Sequence, residues 1–162
     1  MSNPSAAPDE VRYVGFWARV GAALIDTVVV MVILEFLPRV LGLDVDLPDS
    51  ALTDPDTLQI FLNDPRVWSQ LLLSLLVPAV AVILLWRLVG ATPGKMAIGA
   101  EIVDAKTLGP LSGGQSTLRY LGYLVSAAPL CLGLIWVGID ARKQGFHDKI
   151  AGTLVIRKRR SP

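Results

Sequence analysis

The chain has one cysteine and one histidine in 162 residues. A lone Cys131 excludes an intrachain disulfide, and a lone His147 excludes a multi-histidine metal site. Cys131 lies in an apolar stretch and reads as a small apolar filler. Charge is scarce too. Asp, Glu, Lys and Arg make up 18% of residues and balance to +1, which excludes binding nucleic acid through summed charge. The first ten residues contain Asp9 and Glu10 and no basic residue, unlike the positive start of a secretory signal, so this stretch is expected to stay in the mature protein. Gly90-Ala-Thr-Pro-Gly-Lys95 lacks the spacing of a phosphate loop, because three residues separate its glycines and Met96 follows the lysine. It reads as a turn with Lys95 at the lipid headgroups. No nucleophile–base pair stands out, so neither an enzyme activity nor a cofactor is expected.

What the chain has in abundance is apolar sequence, at 52% of residues with a mean hydropathy of +0.54. Three segments carry it: Val20 to Leu37, Val67 to Trp86, and Leu118 to Ile139. The second is free of charge and long enough to cross a hydrocarbon core of roughly 30 Å as a helix. Trp17, Trp68, Trp86 and Trp136 fall at or near segment ends, where amphipathic rings favour the membrane interface.

Between the first two segments, residues 42 to 66 hold six aspartates, three prolines and one basic residue, Arg66. This reads as an irregular acidic loop. Arg87, Lys95, Lys106 and Arg119 follow the second segment, and seven basic residues follow Asp140. Positive-inside bias places the acidic loop outside and both basic regions in the cytoplasm. Three full crossings would put the basic tail on the wrong side. Pro129 and Gly133 divide the third segment into halves of about 11 residues, each ~16 Å of helix and too short to span alone. A re-entrant helical hairpin reconciles the charges; a proline-kinked span is the alternative. Met96 to Asp104 and Thr153 to Ile156 are strand-like and predict a small cytoplasmic β-ribbon. The expected fold is therefore an all-α membrane protein. It has two full transmembrane helices, a third apolar segment that is a re-entrant hairpin or kinked span, and the ribbon.

Asp26 is the costliest residue in this scheme. An ionised aspartate at the centre of a membrane helix costs about 2.5–3.5 kcal/mol, so it must find a partner, face water or take up a proton. Proton exchange would suit a coupled transporter; a salt bridge would lock helices together. Arg19 lies seven residues earlier, about 10.5 Å along the axis, too far for relaxed pairing. Arg119 or the Asp140–Asp148 segment offers more comfortable partners. Arg19 can also snorkel to the headgroups. His147 and Asp148 can relay protons or orient the turn into the last strand. Glu35 reads as interfacial.

Together these residues resemble the RDD family of bacterial membrane proteins, named for one arginine and two aspartates. Gly15-Phe-Trp-Ala-Arg19 and Leu24-Ile-Asp26 are similar to its first helix. Gly90-Ala-Thr-Pro-Gly-Lys95 with Ile102-Val-Asp104 is similar to its middle signature. Gly109-Pro-Leu-Ser112, Leu118-Arg-Tyr120 and Phe146-His-Asp148-Lys-Ile-Ala-Gly-Thr153 are similar to its later ones. The resemblance implies that Arg19 and Asp26 are signature residues, with Asp148 or Asp140 as the second aspartate.

It also implies a polar tail at 1–14, an RDD-like membrane domain at 15–157 containing the acidic loop 42–66, and a basic tail at 158–162. The family is thought to be involved in transport, with some members described as sodium–proton antiporters. That implies monovalent cations and protons as partners beside the lipid bilayer, no nucleic acid, and a homo-oligomer to complete a pathway. The competing expectation is a non-transporting membrane scaffold or assembly factor whose buried charges are structural.

Overall fold

A computed structural model describes residues 11–157; the first ten residues and the basic tail 158–162 lie outside the described residues. The chain divides into two compact units, one of residues 27–81 and one formed by 11–26 with 82–157.

Two long helices run through this division. Helix α1 is Phe16–Val40 and a second long helix is Pro65–Leu88. At 1.5 Å per residue they measure about 37 and 36 Å, long and apolar enough to cross a membrane. Their surfaces are apolar, with Leu24, Val28, Met31, Leu72 and Leu75 exposed. Contiguous apolar faces of this size mark a surface that meets a membrane or another protein. Pro38 and Pro78 lie inside these helices.

In the 27–81 unit, the acidic stretch is more ordered than an irregular loop. A 3-10 turn at Asp49–Leu52 leads to helix α2, Pro55–Asn63. Asp54 caps α2 by accepting from the Asp56 and Thr57 amides at 3.3 and 3.2 Å, and Pro55 opens the first turn. Asp54 and two of the prolines counted as loop formers, Pro55 and Pro65, are thus helix-start signals. The helix Pro65–Leu88 is hereafter α3. Its Gln70 accepts from the Val45 amide at 3.2 Å, and Trp68 Nε1 donates to Leu62 at 2.7 Å. Glu35 pairs with Arg39 one turn along the exposed end of α1.

The other unit is built on a three-stranded antiparallel sheet. Strands β1 (Arg12–Tyr13), β2 (Glu101–Asp104) and β3 (Thr153–Arg157) lie in the order β1-β3-β2. Ile102 pairs with Val155 and Val103 with Leu154. Alternation sends Ile102 and Val155 into a core with Val14, Trp86, Ala100 and Leu111, and Val103, Leu154 and Ile156 into a cluster with Val11 and Ala105. The fold is mostly helical with a small antiparallel sheet, as expected, and β1 adds a strand from within the stretch grouped with the polar tail. The expected strand Met96–Asp104 is strand only from Glu101. Thr92-Pro93 starts a short helix instead, α4, Pro93–Ala97.

The third apolar segment is broken. Helix α5 is Gly113–Ala127, and α6, Leu132–Ile135, continues as a 3-10 turn to Gly138; the two parts meet at 114°. The helix begins five residues before Leu118 because Ser112 and Gln115 form a capping box. The bend falls at Pro129, with Leu130 and Cys131 both at positive φ, 51° and 62°. Cys131 is exposed at this bend rather than filling a core. Gly133 permits the fold-back: a Cβ there would sit 2.6 Å from Ser126 Cα. Helix α7, Phe146–Ala151, packs across α5 where Gly122 leaves room, since a Cβ would lie 2.9 Å from His147 Cα.

Candidate functional site

The signature charges separate into two clusters. Asp148 anchors the first. Its Oδ2 accepts from Arg19 Nη1 at 2.6 Å and from the Gly145 amide at 2.9 Å, while Oδ1 pairs with Arg119 Nη1. Asp148 and Arg119 are fully enclosed. Arg19 also donates through Nε to Val14 at 3.0 Å and through Nη2 to Lys143. One guanidinium therefore joins the start of α1 to the residue 143 loop and α7. Arg119 reaches Thr153 on β3 as well, and its guanidinium lies 5.3 Å from the Trp86 ring centroid and 6.0 Å from that of Tyr123. Aromatic faces offset part of the cost of enclosing a cation.

Two arginines on one carboxylate decide its ionisation. Burial pushes the Asp148 carboxyl up, but the charges of Arg119 and Arg19 outweigh it and hold it well below the usual range. His147 shifts down to about 3: burial lowers it, Asp148 opposes, and Arg119 and Arg19 lower it further. It is a neutral ring near pH 7, stacked on Tyr123 with centroids 4.0 Å apart.

Ser126, His147 and Asp148 have the outline of a nucleophile relay. Ser126 Oγ is 3.3 Å from His147 Nδ1, and His147 Nε2 is 3.5 Å from Asp148 Oδ2. Ser126 already donates to Gly122 at 2.8 Å and accepts from the His147 amide at 3.0 Å, and all three residues are buried. The hydroxyl serves as a packing bond.

Asp26 forms the second cluster and meets neither arginine. Its Oδ2 accepts from Thr92 Oγ1 at 2.6 Å and its Oδ1 from the Gly94 amide at 2.7 Å. Lys95 Nζ stands 3.9 Å from Oδ2 and donates to Thr92 Oγ1 at 3.3 Å. The Gly90–Lys95 turn leaves α3, as expected, but it clasps α1, and Lys95 is 8% exposed instead of at the headgroups. Gly94 is needed for this approach: a Cβ would come within 2.0 Å of the Ala22 carbonyl oxygen.

Of the remaining candidates, Asp140 accepts from the Arg142 and Gln144 amides and pairs with Lys149, outside both clusters. Between the two aspartates, Asp148 is the one that meets Arg19. The expected Arg19–Asp26–Asp148 constellation is therefore an Arg19–Asp148–Arg119 clamp and a separate Asp26–Thr92–Gly94–Lys95 clasp. Thr92, Gly94, Lys95 and Thr153 were missed as site residues. The available signal was physical: a carboxylate in an apolar helix needs donors, and Thr-Pro-Gly at a helix start presents a hydroxyl and a free amide.

The chain is 36% identical over 72 residues to the uncharacterized protein RP437 of Rickettsia prowazekii, covering 44% of this chain and 39% of that one. It is 25% identical over 113 residues to a proline-rich antigen homolog of Mycobacterium tuberculosis, covering 66% of this chain and 47% of the relative. The chain thus spans less than half the length of these relatives. No solved structure matches it significantly. The model of the RDD family matches residues 13–152, most of the chain, and the protein belongs to the RDD family.

Proposed function

We propose that this chain is a multi-pass protein of the bacterial cytoplasmic membrane, and that its signature charges are structural joints of a non-transporting scaffold. The sheet supports the topology. Strands β1, β2 and β3 pair side by side, so the start of α1, the end of α3 and both ends of the α5–α6 hairpin belong to one side. Two helices then cross, the bent segment re-enters, and residues 42–66 lie outside. Positive-inside bias makes the sheet side cytoplasmic. Single cysteines introduced after Cys131→Ser test this. Ser50→Cys is labelled by an impermeant maleimide in intact cells, whereas Thr107→Cys and Arg142→Cys react only after permeabilisation. Labelling of Arg142→Cys in intact cells makes the bent segment a full span.

The scaffold reading rests on the enclosed Arg19–Asp148–Arg119 clamp. A carboxylate held by two guanidiniums and shut from solvent is suited to joining α1, α5, α7 and β3, and poorly suited to exchanging ions. In everted vesicles, wild-type protein is expected to give no cation-dependent proton flux. Flux that disappears in Asp26→Asn overturns the proposal.

That outcome would support a second reading, proton-coupled transport of a monovalent cation by a homo-oligomer. Asp26 is the observation in its favour: its side chain is 21% exposed and Lys95 stands off at 3.9 Å, looser than the clamp.

A further inference from the structure

Away from both clusters, a groove of about 520 Å³ opens between the turn after β2, the start of α5 and the end of α7. Lys106, Arg142 and Lys149 line it, with Asp104 as the facing carboxylate. Asp104 is already occupied. Its Oδ1 accepts from the Lys106 and Thr107 amides at 2.8 Å each, and its Oδ2 accepts from Gln115. Arg142 is steadied over the rim by donating to the Ala105 carbonyl at 3.3 Å. Lys106 is exposed and has no ion pair among the described residues.

One residue connects this basic groove to an apolar surface. Lys149 pairs with Asp140, and its Nζ also lies 5.7 Å from the Trp136 ring centroid. Trp136 is 40% exposed, Ile139 beside it is 73% exposed, and Ile150 on the groove wall is 41% exposed. An indole, isoleucines and lysine at the edge of a cationic groove match a phosphodiester headgroup whose acyl chains continue along the apolar side. A soluble phosphate would use only the cations.

We propose that this groove binds the phosphate of an anionic phospholipid of the cytoplasmic leaflet, through Lys106, Arg142 and Lys149, with Trp136 and Ile150 against its glycerol and acyl portion. The site rests on the cytoplasmic-membrane reading above. Cysteine labelling tests that reading separately, so correct labelling without lipid binding defeats this proposal alone.

The test is native mass spectrometry and thermal melting of the purified chain in neutral micelles. Phosphatidylglycerol, phosphatidylcholine and inorganic phosphate are supplied in separate arms. Phosphatidylglycerol is expected to be retained and to raise the melting point, while the other two are not. Loss of one surface cation beside an anionic headgroup weakens binding roughly fivefold, so Lys106→Ala with Arg142→Ala lowers retention roughly 25-fold. Both side chains are exposed, and the double variant is expected to melt like wild type without lipid. Equal retention of the two lipids, unchanged retention by the variant, or an equal shift from inorganic phosphate alone overturns the proposal.

Discussion

Replacing Asp148 with asparagine should be the most damaging conservative change in the chain. Asparagine keeps the size and one acceptor oxygen but removes the charge that two arginines share. Arg119 is fully enclosed and cannot turn to water, and Arg19 is held by Val14 and Lys143. Leaving such a cation unmatched costs about 3–5 kcal/mol, a large part of a folding free energy that is usually about 5–15 kcal/mol. For a chain of this size each kcal/mol moves the melting temperature about 2–4 °C, so the expected drop is roughly 6–20 °C. Intrinsic fluorescence of the protein in mild detergent reads it, since Trp86 lies beside Arg119. Combining Asp148→Leu with Arg119→Met removes the enclosed pair together and should recover much of the loss, because coupled partners are not additive. A melting temperature within about 2 °C of wild type for Asp148→Asn would show that the clamp carries little energy. The pH response has a definite sign. The folded carboxyl titrates below its unfolded value, so its stabilisation is complete above the unfolded pKa of about 3.9 and is lost as pH falls through the folded one.

Other consequences can be checked with the same melts. His147 titrates at about 3 when folded against about 6.5 unfolded, so stability should fall by about 1.4 kcal/mol per unit as pH drops below 6.5. His147→Phe should flatten that slope; an unchanged slope assigns it to another group. Gly94→Ala should cost at least about 1–3 kcal/mol by overpacking against Ala22, whereas Gly21→Ala, with nothing within 4 Å, should gain about 0.5–1 kcal/mol. Asp26→Asn keeps an acceptor for Thr92 or Gly94 and should cost about 1–3 kcal/mol without changing ion flux. A neutral melt would mean that the clasp is idle.

The sequence made the long helices legible because length and apolarity are local properties, and Val67 to Trp86 needs no tertiary information to read as a helix. The break near Pro129 was visible for the same reason, through proline and glycine in an apolar run. Pairing was harder. Arg19 and Asp148 are separated by 129 residues, and nothing in spacing says which of Asp140 or Asp148 the arginine reaches. Asp26 stood out by cost, but its donors sit in a turn whose glycines suggested a phosphate loop. The geometric reason for Gly94, an Ala22 carbonyl pressed against it, exists only once the helices are docked. Strand β1 was hidden for a related reason: two residues carry no periodicity, and their order comes from β3.

The wide separation of the clamp's members has a further consequence for how the protein is made. Arg19 leaves the ribosome 129 residues ahead of Asp148, which at about 5–20 residues per second is roughly 6–26 s. The Thr92 and Gly94 donors of Asp26 follow it by 66 and 68 residues, arriving about halfway through that interval. During biogenesis α1 therefore carries two unmatched charges of opposite sign. If docking follows the order of synthesis, Asp26 is quenched first, when α4 docks, and Arg19 only when α7 arrives. A chaperone or insertase that shields polar helices would be needed longest at the arginine end of α1.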